Sequence, residues 1–213
     1  MVDEKDVDYI MTFEEIKQIF EEAKKTPRND EGYLPEKLEI KVGRAIADAG
    51  REGYYQFTDD IWAYLNYPWD HLQEEAIQSL GFSHKIYDPN FREEAYKIWH
   101  DETRADDTRR IAFVIWFGYY RNTKDSSVLE DLYKVLSQSS NYLMRARAYY
   151  GIIEVCDIPF KYNEKLKILN LGDKKSHEYI NEQVDWDRIH QLMRQYAPNV
   201  ELVDPKTLNI PNP

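Results

Sequence analysis

Three glycines, Gly81, Gly118 and Gly151, constrain the fold more than any other feature, because the same residue pattern precedes each of them. Eleven positions earlier stands an N-cap type of residue: Asp70, Asp107 or Ser140. Five positions earlier stands Ala76, Phe113 or Ala146, and immediately before the glycine stands Leu80, Phe117 or Tyr150. The segment opened by Pro35 reads as a degenerate fourth copy, with Ala45 five places before Gly50. The glycines are then 31, 37 and 33 residues apart, a period that belongs to stacked helical hairpins. With only 8 Gly and 9 Pro in 213 residues, the chain has too few turn formers for many short strands.

Local signals divide this frame into helices. Thr12 and Glu15 have capping-box spacing, and Phe13, Ile16, Ile19, Phe20 and Ala23 form one apolar face behind them. That helix has to stop before Thr26-Pro27, because the residue preceding proline avoids helical geometry. Pro35 opens a second helix with Leu38, Val42, Ala45 and Ile46 inward, ending near Gly50. Three pairs are expected next: residues 58–67 with 70–80, 90–102 with 107–120, and 127–136 with 140–156. Asn90 with Glu93 and Ser127 with Glu130 supply two further capping-box spacings. The run from Ile111 to Phe117 is apolar on every face, so it needs cover all round. Beyond Cys156 the pattern fades into a break at 157–160, a short helix at 163–171, a final helix at 186–196 and a proline-punctuated tail over 199–213. The expected layout is one all-helical domain: capping helices over 12–56, three pairs over 58–156, C-terminal helices over 157–198, then the tail.

The stretch Leu72-Gln73-Glu74-Glu75-Ala76-Ile77-Gln78-Ser79-Leu80-Gly81 resembles the second helix of a HEAT-like, armadillo-type repeat. The usual form of that helix is an apolar residue followed by arginine, then alanine, then Leu-Gly. Arg110 matches the arginine position, whereas Gln73 and Leu143 depart from it. The Asp–Arg ladder that links neighbouring repeats is therefore incomplete, and the copies are divergent. The resemblance covers about residues 58–156. It implies an all-α fold: a short right-handed α-solenoid of antiparallel helix pairs, whose second helices line an extended, slightly concave surface.

Apolar residues make up 42% of the chain and charged residues 31%, enough to build a core and too apolar for disorder. The single cysteine, Cys156, lies in an apolar run and suits a reducing compartment. Residues 1–6 are acidic and lack the apolar stretch of a secretory leader, and residues 111–120 are too short to span a bilayer. The expected location is cytoplasmic. The net charge of −11 is unevenly spread: residues 1–60 carry 9 basic and 16 acidic groups, 61–120 carry 6 and 10, and 121–213 carry 13 and 13. Such a field repels phosphate backbones and attracts a basic partner, so no nucleic acid and no membrane is expected.

Catalytic motifs are sparse. His100-Asp101-Glu102-Thr103-Arg104-Ala105-Asp106-Asp107 gathers one imidazole and four carboxylates, as a divalent ion or an acid–base pair requires. The plainer reading is a helix end followed by the acidic first turn of the next helix. His71, Glu74 and Glu75 share one helical turn, yet the second histidine of a His-Glu-x-x-His site is missing. His84, His177 and His190 have no partner spacing, and Cys156 has no visible activating base. Glycine-rich phosphate loops, a Gly-x-Ser-x-Gly elbow and zinc-type cysteine spacing are absent from the sequence. No catalytic residue, metal or cofactor is expected.

Seventeen tyrosines, with doublets at Tyr54-Tyr55, Tyr119-Tyr120 and Tyr149-Tyr150, suit a protein-binding face beside acidic groups. On a helix the two rings of a doublet diverge by about 100°, one toward the core and one toward the rim. The sequence therefore points to a non-catalytic module that binds a basic protein through His71, Glu74, Glu75, Gln78, Asp106, Asp107, Tyr119 and Tyr120. One version is an immunity-type inhibitor that sequesters a basic toxin or nuclease. The alternative is an enzyme on a HEAT-like scaffold, similar to bilin lyases, with its site at residues 100–107. A role like that of the DNA-alkylation glycosylases would need a basic groove, and the charge opposes it.

Overall fold

The computed structural model describes residues 9–159, 177–205 and 208, and the fold is all-helical. The chain forms two compact units, Met1–Ile115 and Trp116–Pro213.

In the first unit, Thr12 starts α1 (Phe13–Lys25) through a reciprocal capping box. The Thr12 N–H donates to the Glu15 carboxylate at 2.8 Å, and the Glu15 N–H donates to the Thr12 hydroxyl at 3.4 Å. Two N-terminal donors that the helix itself cannot satisfy are thereby paired. Ile16, Phe20 and Ala23 are buried, and α1 stops at Thr26 before Pro27. Pro35 stands at the N-cap of α2 (Glu36–Glu52), which packs on α1.

Gly50 does not end α2. The helix continues to a left-handed Gly53, whose φ of 69° is the conformation glycine adopts at lowest cost. Gly50 instead lets another segment approach closely, because a Cβ there would lie 2.6 Å from the Ser79 hydroxyl.

A 3-10 turn (Tyr55–Phe57) leads into α3 (Thr58–Trp62), which is shorter than the expected 58–67. Beyond it the backbone tightens into i→i+3 bonds, from Tyr64 to Ile61 and from Leu65 to Trp62, and these carry the chain to Pro68. Next comes α4 (Asp70–Gln78), packed on α2. Asp70 is its first residue rather than its cap, a position held by Trp69 without a side-chain bond. A π-helical turn (Ser79–Ser83) follows directly, so Gly81 sits inside helical backbone and does not terminate it.

The helix α5 (Pro89–His100) is capped by Asp88, whose carboxylate accepts from the Asn90 N–H at 2.7 Å. Asn90 is therefore not the cap expected from the sequence: proline at the first helical position moves the cap two residues earlier, to Asp88. In α6 (Asp106–Gly118), six of the seven residues from Ile111 to Phe117 are buried and Val114 is half-buried. This meets the cover expected of a helix apolar on every face.

In the second unit, α7 (Ser126–Gln138) and α8 (Tyr142–Val155) form a helical hairpin. Asp125 caps α7, accepting from the N–H groups of Ser127 and Val128, and Asn141 caps α8, accepting from Leu143 and Met144. The expected caps, Ser127 and Ser140, are each displaced by a neighbour with a better-placed carbonyl or carboxylate oxygen. Packed on this hairpin are α9 (His177–Gln183), against α8, and α10 (Trp186–Tyr196), against α7. The expected helix over 163–171 lies outside the described residues. After α10 the chain is tethered where the Val203 N–H donates to the Tyr133 hydroxyl at 2.9 Å. No helix among the described residues is long and apolar enough to cross a membrane.

Candidate functional site

The four binding residues expected on α4 form one strip along that helix. His71 is exposed, and Glu74, Glu75 and Gln78 are half-buried. The Gln78 amide donates to the Glu74 carboxylate at 2.9 Å, an i,i+4 pair that fixes both side chains. Burial raises the Glu75 carboxyl above the ordinary carboxylate range and Glu74 adds to the effect, while His71 and Arg51 oppose it. The His71 ring comes within 3.8 Å of where a Cβ on Gly43 would stand, so this edge of α4 lies against α2. The strip is a rim of the α2–α4 contact, with two carboxylates held close together.

Asp106 and Asp107 are exposed in the first turn of α6, where they complement the positive end of the helix dipole. Each also meets an arginine three residues on: Arg109 reaches Asp106 at 3.5 Å, and Arg110 reaches Asp107 at 2.6 Å. Asp101 is held below its ordinary carboxylate range by the Thr103 hydroxyl, with the Thr103 N–H and Arg104 adding to the effect. His100 is exposed, and its Nδ1 lies 2.8 Å from the Tyr96 carbonyl. Asp101, Asp106 and Asp107 are thus engaged in capping and local ion pairs. Among the described residues, no three His, Cys, Asp or Glu side chains gather as a metal-ligand set.

Tyr119 and Tyr120 belong to the second unit. They lie in the turn after α6, not on the helix, and both are half-buried. The divergence expected of a helical doublet is seen instead at Tyr149, which is buried, and Tyr150, which is half-buried. Cys156 is buried at the end of α8, and burial pushes its thiol up to about 11. At neutral pH it is a protonated core residue, not a nucleophile.

The first unit carries 26 acidic and 15 basic side chains, hence the entire net charge of −11, and the second carries 13 of each. The same unit holds every exposed large hydrophobic residue among the described residues, including Tyr55, Phe82, Tyr87 and Tyr96. Sequence reasoning found the charge gradient but missed Asp59, Trp62 and Asp88, which line an open groove in this unit. Asp88-Pro89 was the available signal, since an acid before a proline is a helix start.

No protein-family model matches the chain, and searches of curated proteins and of solved structures likewise return no significant match.

Proposed function

We propose that this chain is a non-catalytic protein-binding module whose acidic, tyrosine-bearing first unit receives a basic protein. The carrying observation is the coincidence of two properties in residues 1–115: the whole net charge and all the exposed large hydrophobics among the described residues. Acidic groups interleaved with exposed aromatic rings combine long-range steering with short-range contact area, as protein interfaces do. In this reading the helix pairs are HEAT-like repeats, supported by the α7–α8 hairpin and by the 31–37 residue glycine spacing. The α4 strip of His71, Glu74, Glu75 and Gln78 contributes to the binding face, together with Asp106 and Asp107. Tyr119 and Tyr120, which belong to the second unit, are proposed as aromatic contact residues of that unit by itself. Sequestration of a basic toxin or nuclease, in the manner of an immunity protein, is the role that fits a small acidic chain best.

The test is to measure association of the full chain with basic and acidic proteins of matched size across a salt series. The on-rate for basic proteins should fall about tenfold or more between low and physiological ionic strength, because screening shortens the reach of the field. Equal association with acidic and basic proteins, without salt dependence, would sink the proposal.

A further inference from the structure

An open groove of about 420 Å³ runs between α3 and the entry to α5. Thr58, Asp59 and Trp62 form one wall, and Ile86, Asp88 and Asn90 form the other. Trp62 is half-buried, and its ring stands 5.5 Å from that of Phe91, which is fully buried. The indole is therefore held in place while part of it still faces solvent. Asp59 and Asp88 are both exposed, and among the described residues no basic side chain lines the groove. The next residue, Asp60, is by contrast engaged by Lys24 at 2.7 Å. Asp88 gives one oxygen to the α5 cap at 2.7 Å, an arrangement that orients the carboxylate. Next to the groove residues along the chain stand Tyr87, 73% exposed, and Tyr55, 59% exposed, whose carbonyl accepts from the Thr58 hydroxyl at 2.7 Å. Exposed rings near an acidic groove have the composition of a contact surface.

We infer that this groove seats an arginine side chain of a basic protein partner, its guanidinium lying along Trp62 between Asp59 and Asp88. The inference rests on the reading of the first unit as a receptor for basic proteins and names where that receptor makes its specific contact. A planar guanidinium is the group that both stacks on an indole face and donates to carboxylates at its edges. A lysine ammonium satisfies the charges but not the stacking.

The test uses the full chain and a fluorescein-labelled peptide of nine arginines, followed by anisotropy at physiological salt. Replacing both groove acids, Asp59→Asn with Asp88→Asn, keeps a capping oxygen at position 88 and removes two charges. A control, Glu14→Gln with Glu36→Gln, removes two exposed acids from α1 and α2. Peptide affinity should fall about fivefold in the groove variant and less than about twofold in the control. In the wild-type chain, the indole N–H resonance missing from Trp62→Phe should shift as the arginine peptide is added. A nine-lysine peptide should shift it less.

Equal losses in the two double variants would overturn the groove while leaving the basic-partner reading intact, since a diffuse field would then suffice. A Trp62 resonance unmoved at saturation would also overturn it, whatever the variants do. Absence of any binding by either peptide to the wild-type chain would remove both readings.

Discussion

Arg145 donates from Nη1 to Nδ1 of His177 at 3.1 Å, with its whole side chain buried between α8 and α9. Its Nε donates to the Leu136 carbonyl at 2.7 Å, and Nη2 donates to the Asn181 side chain. Every one of these acceptors is neutral. Burial pulls the guanidinium down to about 10, so it is still charged at neutral pH and is stabilised by dipoles rather than by a counter-ion. Arg145→Met keeps the length and removes all the donors, stranding the buried Leu136 carbonyl and the buried acceptors of His177. The expected cost is about 3 kcal/mol or more, read as a lower urea midpoint. A methionine variant as stable as the parent chain would show that desolvation of the guanidinium cancels its hydrogen bonds.

The same contact sets a pH dependence. The His177 imidazole is held below its ordinary value of 6.5, first by burial and then by the Arg145 charge, with the Ser140 backbone opposing. His190 is lowered as well, by burial and by Arg194, against Asp187 and Asp204. With a depressed folded pKa, the unfolded chain binds the proton first. Stability is therefore complete above 6.5 and declines as the pH falls below it toward the folded values. His177→Asn offers an amide oxygen to Arg145 but cannot titrate. Urea midpoints at pH 7, 6 and 5 should fall for the wild type and fall less for this variant. Parallel curves would assign the slope to other groups.

Two glycines at the same position of the repeat pattern should respond oppositely to alanine. A Cβ on Gly81 would overlap Cδ1 of Ile115 and stand 2.6 Å from its Cγ1, and Ile115 is buried. Gly118 has nothing within 4 Å of its Cβ position. Gly81→Ala is expected to lower stability by about 1–3 kcal/mol through overpacking. Gly118→Ala should be neutral or raise it by up to ~1 kcal/mol, since alanine is the better helix former and limits the unfolded chain. Thermal melts of the two variants decide the matter, and a loss at Gly118 equal to that at Gly81 would refute the geometric distinction.

Periodicity and capping chemistry made the helices legible, while their ends and contacts stayed hidden. The Thr12–Glu15 box was readable because both of its partners are local in sequence. Asp88, Asp125 and Asn141 were passed over because several polar residues stand near each helix start, and backbone geometry chooses among them. Gly81, Gly118 and Gly151 look equivalent in the chain but meet Ile115, open space and Leu132 respectively. Tertiary approach, which no local pattern encodes, separates them. The acidic gradient was visible as a count, yet the groove of Asp59, Trp62 and Asp88 joins residues from two elements and needed the fold. Gln73, read as a gap in an Asp–Arg ladder, proves to be a partner of Arg104, 31 residues away.

That Gln73–Arg104 link carries the last prediction. The Arg104 Nη1 donates to the Gln73 amide oxygen at 2.8 Å and to the Leu65 carbonyl at 2.9 Å. Its Nε reaches Asp101 at 3.2 Å, and Nη2 reaches the Asn66 side chain. Gln73 in turn donates its amide to the Tyr67 carbonyl and is itself buried. One guanidinium thus ties the α5–α6 loop to α4 and to the turns before it, doing across segments what an Asp–Arg pair does in a ladder. Arg104→Lys keeps the charge but cannot reproduce the fork, and it should cost about 2 kcal/mol. Gln73→Leu, which strands the Tyr67 carbonyl, should cost about as much. Because the two side chains share a hydrogen bond, the double variant should lose less than the sum, by about 1 kcal/mol in a denaturation cycle. Additivity within about 0.3 kcal/mol would mean that the two residues act independently and that the contact contributes nothing of its own.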